Sequence, residues 1–344
     1  MAETAARAKG IIHGGDLDSA RAAFAGAPEP WVDLSTGINP WPYPLPVLPA
    51  DAWVRLPARS AEAALREAAA ACYGAPGAEM VAAASGSQAL IQLLPRLRAP
   101  GRVAVLGPTY AEHAAGWAGA GHRVAEVASP TIAGLDGVEA DVIVIVNPNN
   151  PDGRIVPPAD LLALADRQAA RGGWLVVDEA FADVTPEASV AAEVGRAGLV
   201  VLRSFGKFFG LAGLRLGILL AEPALAETVR AAVGPWAVSG PGLAVATAAL
   251  SDSAWIAAMR ARLQAEADRL DGRLTDAGLT VVGGTSLFRL IYEPQATRLY
   301  NALGHAGILV RRFDYRPDWL RLGLPVDEIA ASRMIVACQL FKNV

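Results

Sequence analysis

The sequence predicts an α/β protein: a large domain on a mostly parallel sheet flanked by helices, then a smaller α+β domain. Three observations carry this. Short apolar runs alternate with helical stretches from about residue 80 to 220, the order of a parallel sheet with crossover helices. One run, Asp141–Val146 (DVIVIV), is almost continuously apolar, as a strand buried on both faces must be. Beyond residue 276 the order changes, with strands and helices no longer in strict alternation. A chain of 344 residues exceeds the usual size of one core, so it divides into an arm over 1–35, a large domain over 36–240 and a small domain over 241–344.

The elements follow in order. His13-Gly14-Gly15-Asp16 can form a tight loop whose amides face a ligand; an ordinary glycine turn reads the same way. Trp31–Leu34 is a short strand and Ser35–Pro40, with Gly37, a loop. Prolines at 40, 42, 44, 46 and 49 exclude helix and predict an extended segment. Ser60–Tyr73 is a helix stopped by Gly74. Met80–Ala84 is a strand leading through Ser85-Gly86-Ser87-Gln88 into a helix, whose first amides form an anion site. Arg102–Gly107 is a strand with Tyr110 just past its end, where a ring can stack on a ligand or pack in the core. A helical stretch carries His113 and Trp117. Asp141–Val146 ends in the rigid turn NPNNPDG, which holds Asn150. Pro158–Arg171 is a helix, and Trp174–Val177 a strand delivering Asp178-Glu179-Ala180-Phe181. Leu199–Leu202 is a buried strand, Glu222–Ala232 a helix and Leu243–Asp276 one long helical region. The small domain reads as strands near 279–282 and 287–291, a helix near 295–306, strands 308–311 and 319–324, and a last helix from Val326.

Composition narrows the function. A net charge of -4 without a long basic run excludes a nucleic-acid surface. The two cysteines, Cys72 and Cys338, and four scattered histidines offer neither a disulfide framework nor a metal site. The first residues, MAETAARAKG, lack the apolar stretch of a secretory signal, and no apolar run reaches membrane-spanning length. A soluble cytoplasmic protein without a membrane partner is expected.

The chemistry centres on Ser204–Arg215, SFGKFFGLAGLR. Lys207 sits among glycines and apolar residues after a buried strand, where poor solvation lowers an amine's pKa and lets it attack an aldehyde. Together with a strand-end carboxylate (Asp178), an amide (Asn150) and anion donors (Ser87, Gln88, Ser204, Arg215), this is the set that a pyridine aldehyde phosphate requires.

SFGKFFGLAGLR, NPNNPDG and DEAF resemble the aspartate-aminotransferase superfamily of pyridoxal-phosphate (PLP) enzymes, from about residue 10 to the end. The resemblance implies the type I PLP-dependent transferase fold and a homodimer, with PLP on Lys207. It implies that Asp178 pairs with the ring nitrogen, Asn150 with the ring hydroxyl and Tyr110 with the ring face, while Ser87, Gln88, Ser204 and Arg215 hold the phosphate. Within the superfamily the HGGD arm, the short length and STGINPWPYP look most like the threonine-phosphate decarboxylases of cobalamin biosynthesis, and next like histidinol-phosphate aminotransferases. The implied substrate is a small phosphorylated amino acid, met by His13, Gly14, Gly15, Gly37, Asn150, Arg321 and an arginine of the Arg311-Arg312 pair, taken as Arg312. Two positions depart from the family: Phe181 stands where relatives often carry a tyrosine, and Arg55-Leu56-Pro57 lacks the tyrosine that reaches a partner's phosphate site.

Overall fold

The computed structural model describes residues 13–342; residues 1–12 of the expected arm lie outside them. Helix α1 (Leu17–Ala23), strand β1 (Val32–Asp33), α2 (Asp51–Val54) and α3 (Arg59–Tyr73) come first. They are followed by β2 (Val81–Ala84), α4 (Ser87–Leu93), β3 (Arg102–Gly107), α5 (Glu112–Gly119), β4 (Arg123–Ala128), β5 (Val142–Val146) and α6 (Pro158–Ala169). Next are β6 (Trp174–Asp178), β7 (Leu199–Ser204), α7 (Phe205–Phe208), β8 (Gly217–Ala221), α8 (Pro223–Val233), α9 (Gly240–Ser251) and α10 (Ser253–Asp276). The chain closes with β9 (Thr280–Thr285), β10 (Phe288–Tyr292), α11 (Ala296–His305), β11 (Ile308–Leu309), β12 (Arg311–Phe313), β13 (Arg316–Gly323) and α12 (Glu328–Lys342).

Seven strands form the large sheet in the order β2-β8-β7-β6-β5-β3-β4. Pairing is parallel except for β8, which runs antiparallel to both β2 and β7. All five residues of β5 are buried, and they alternate between two cores, Ile143 and Ile145 on one face and Val142, Val144 on the other. Each such side chain contributes roughly 1.5–3 kcal/mol by leaving water. The α/β fold class is as the sequence predicts.

Two elements differ from expectation. The edge strand β4 (RVAEVA) was not predicted, because its charged, largely exposed residues give no apolar run. The region 243–276 is not one helix: it breaks at Asp252, whose carboxylate accepts the Trp255 N–H at 2.9 Å and caps α10, and the two helices meet at 77°. No single described helix is long and apolar enough to cross a membrane.

The four-stranded sheet β12-β13-β10-β9 is antiparallel. Strand β1 pairs in parallel with β11, and the Gly323 N–H donates to Leu34 O at 2.7 Å. The segment after the arm is thereby fastened to the C-terminal part, and Ser35 and Thr36 come to lie between the two sheets.

Candidate active site

Parallel pairing sends the C-terminal ends of β3, β5, β6 and β7 to one edge of the large sheet, where open α/β sheets bind ligands. Two successive antiparallel pairings bring the end of β2 to the same edge. Reversed β8 begins there, and so delivers Arg215 just before it. A cavity of about 300 Å3 opens at this edge, lined by Ser87, Gln88, Tyr110, Asn150, Asp178, Ser204, Lys207 and Arg215 from these loops. Every cofactor-binding residue expected from the sequence therefore meets in one place.

At its floor Asp178 is buried. Its Oδ2 lies 2.7 Å from His113 Nε2 and its Oδ1 accepts the Ala180 N–H at 3.0 Å, which fixes the carboxylate while each oxygen keeps a free lone pair. His113, also buried, was not singled out as a site residue. Its signal was faint: a histidine one helical turn past Tyr110. Burial pushes the Lys207 ammonium down to about 8, the Arg321 guanidinium adds to this, Asp178 opposes it and Arg215 reinforces it. The Lys207 Nζ sits 5.7 Å from the centre of the Phe181 ring. That ring packs edge-on against Phe288, with centroids 5.0 Å apart.

The far end is a cradle. Gly86 has φ +91°, and a Cβ there would lie 2.5 Å from Arg215 Nη2, so only glycine lets the guanidinium reach the start of α4. Arg215 itself takes a left-handed backbone, φ 52°, the strained kind of conformation that gathers at functional sites. The Ser204 side chain makes no capping bond to α7 although it stands at the N-cap, so its hydroxyl faces the cavity. Gln88 differs from expectation. Its Oε1 accepts from Tyr110 Oη at 3.2 Å and one Nε2–H donates to Glu112 at 2.7 Å, so its side chain braces the wall and its backbone N–H, in the first turn of α4, is a donor available to an anion.

The mouth is lined by the second sheet and the arm. Arg311 on β12 and Arg321 on β13 are directly paired in register, and both side chains line the cavity. Like charges opposite each other in a ladder repel. Neither has a carboxylate partner within salt-bridge distance among the described residues. Burial, with help from Arg311, pushes Arg321 down to about 10. Arg321 donates Nη1 to Asn150 Oδ1 and Nη2 to Ser35 O (2.8 Å), while its buried Nε has no partner. This leaves Asn150 Nδ2 as that amide's donor group. His13 and Gly14 line the mouth, as do Phe313 and Tyr315.

Three substrate-facing expectations need correction. Arg312 is exposed and lies over the Tyr300 ring at 5.1 Å, because neighbours on a strand point to opposite faces; Arg311 is the arginine that enters the cavity. Gly37 packs: a Cβ there would come within 2.8 Å of Phe181 and 2.9 Å of Phe288. Gly15 does not line the cavity; its N–H donates to Ser35 Oγ at 2.7 Å and anchors the arm.

These groups fit a phosphorylated pyridine aldehyde. There is an amine of lowered pKa, a fixed buried carboxylate and a cradle with an arginine and free hydroxyls. The volume is at the small end of the roughly 300–1,000 Å3 typical of ligand pockets. The chain belongs to the class I and II aminotransferase family, which matches residues 51–332. It is a PLP-dependent enzyme of that fold. Among curated relatives it is 48% identical to the threonine-phosphate decarboxylase of Pseudomonas aeruginosa, covering 97% of this chain and 98% of the relative. It is 47% identical to the threonine-phosphate decarboxylase of a Sinorhizobium species, covering 94% and 96%. Histidinol-phosphate aminotransferase from Sinorhizobium meliloti in complex with pyridoxal-5'-phosphate shares the fold, with TM-score 0.82 and 19% identity over 99% of this chain and 98% of that one.

Proposed function

We propose that this chain decarboxylates L-threonine O-3-phosphate to (R)-1-amino-2-propanol O-2-phosphate and CO2, a step of cobalamin biosynthesis. The observation that carries this reading is the pair Arg311 and Arg321, opposed across two strands and aimed at one cavity, with no carboxylate within salt-bridge distance of either among the described residues. A substrate with two anions, a carboxylate and a phosphate, would relieve their repulsion. The names of the two relatives at 47 and 48% identity point the same way.

In this reading Lys207, Asp178, Asn150, Tyr110, Ser87, Gln88 (through its backbone), Ser204 and Arg215 hold the cofactor. When bound, PLP would supply an electron sink for the bond to Cα that is to be broken in the substrate. Asp178, oriented by His113 and the Ala180 N–H, would hold a proton on the cofactor's ring nitrogen. Arg311 and Arg321 would orient the substrate, and their grip would decide whether C–COO⁻ or C–H is presented for cleavage. Lys207 Nζ, pushed down to about 8 by burial, would hold the proton that Cα takes up once CO2 has left. Phe181 offers no hydroxyl to the cofactor, so the hydrogen bond to its ring oxygen falls to Asn150 Nδ2.

The division into an arm (1–35), a large domain (36–240) and a small domain (241–344) belongs to the same proposal, as does a cytoplasmic homodimer. For the homodimer the support is the exposed apolar stretch Leu45, Val47, Trp53, Val54 and Leu56, too apolar for a free surface. PLP-loaded protein given L-threonine O-3-phosphate is expected to release one CO2 per amine product. Steady conversion of histidinol phosphate with 2-oxoglutarate, without CO2 release, would instead establish an aminotransferase. A cofactor-binding protein without activity is disfavoured by Lys207 standing intact in the cavity.

A further inference from the structure

Glu112 does not line the cavity, yet its carboxylate joins three of the elements that do. It opens α5, one position past the cavity-lining Ala111. Its Oε1 lies 2.9 Å from His13 Nε2, a residue 99 positions earlier. Its Oε2 accepts from Gln88 Nε2 at 2.7 Å and from Gln92 Nε2 at 3.4 Å. Gln88 in turn receives the Tyr110 hydroxyl, and the His13 and Tyr110 rings are 6.0 Å apart. The Glu112 side chain is only 15% exposed although His13 is 46% exposed, so the clasp has one end set in the wall and one on the arm.

Two consequences follow from the chemistry. A carboxylate only accepts, so Nε2 must carry hydrogen and the other ring nitrogen of His13, Nδ1, is left to meet a ligand. Among the described residues, the other tie of the loop 13–16 to the wall is the Gly15 N–H to Ser35 Oγ bond, whose hydroxyl donates to Asp33 Oδ1 at 2.6 Å. Farther along, β1 and Phe24 fasten the arm to the C-terminal part; without Glu112 the His13 end alone would hang on the Gly15 bond, and each substrate molecule would have to order that end again.

We propose that Glu112 is a positioning residue: a clasp that holds the N-terminal arm across the cavity mouth through His13 and braces it against Gln88 and Tyr110, so that the site is pre-ordered for a phosphorylated amino acid. This rests on the functional reading above for the identity of the substrate, but not for the clasp itself.

The test uses full-length, PLP-loaded protein and the variants Glu112→Ala, His13→Ala, their combination and Glu112→Gln. Each alanine variant raises KM for L-threonine O-3-phosphate about tenfold and changes kcat by less than about twofold, and the double variant is no worse than either single one, as for residues acting as a unit. Glu112→Gln keeps a carbonyl oxygen for the imidazole N–H and recovers most of the affinity. Independently of any substrate, hydrogen exchange at the Gly15 amide speeds up about tenfold in Glu112→Ala. Unchanged Gly15 exchange in both Glu112 variants overturns the clasp, and so do effects of the two alanine substitutions that multiply. If the unaltered protein releases no CO2 from L-threonine O-3-phosphate, the functional reading falls while the exchange result still decides the clasp. Retained cofactor absorbance in each variant shows that it has folded.

Discussion

The two ends of the cavity are built differently. At the inner end Asp178, Ser204 and Lys207 sit on or just after buried strands of a seven-stranded sheet, each strand hydrogen-bonded on both sides. At the mouth Arg311, Phe313 and Tyr315 sit on a two-strand hairpin of the smaller sheet, and His13 and Gly14 on an arm. Groups that must be held within a fraction of an ångström are placed on rigid elements, and groups that recognise are placed where sequence can vary without loosening the floor. The same contrast appears in charge. The one carboxylate at the floor, Asp178, has its histidine, whereas the arginines at the mouth await an anion.

Substitutions can break this contrast. Lys207→Ala is expected to abolish CO2 release, by about 10^4-fold or more, since it removes the proton-transferring amine; an assay of labelled CO2 measures it. His113→Phe leaves the buried Asp178 carboxylate without its partner and is expected to cost about 3 kcal/mol of stability, read from denaturant midpoints. A loss confined to activity, with unchanged midpoints, would mean that the floor is not held by this pair. At the mouth, Arg311→Ala is expected to raise substrate KM about 30- to 100-fold, the cost of removing one side of a charge-assisted contact, with a midpoint that does not fall because the repulsion from Arg321 is gone.

The pH dependence sharpens the comparison. The Lys207 amine titrates at about 8 in the folded protein against an ordinary 10.5. Between these values the unfolded chain binds more protons, so cofactor-free protein gains stability as pH rises through that window, by about 3 kcal/mol. Lys207→Met should flatten this rise. The smallest effect is expected from Arg312→Ala, within about twofold in KM, because an exposed strand neighbour on the far face contributes little.

Much of the site was legible because its floor is written in local chemistry. A lysine among small residues after a buried strand, a strand-end aspartate and a proline-locked asparagine each carry their own physical reason. What escaped depends on side-chain direction or on contacts between distant segments. Arg311 and Arg312 are indistinguishable until the register of β12 against β13 assigns their faces. The partnership of His113 with Asp178 spans 65 residues, and that of Glu112 with His13 spans 99, distances over which no spacing rule operates. Gly37 read as a ligand-facing glycine because the sequence cannot show the two phenylalanine rings closing on it. Similarly, β4 was hidden because an edge strand exposed to water needs no apolar pattern.

The most direct test of the central claim is product analysis by mass spectrometry after PLP-loaded protein is incubated with L-threonine O-3-phosphate and 2-oxoglutarate together. The account predicts aminopropanol phosphate in equal amount to CO2, with 2-oxoglutarate unconsumed. Glutamate accumulating in step with loss of substrate, and no aminopropanol phosphate, would contradict it.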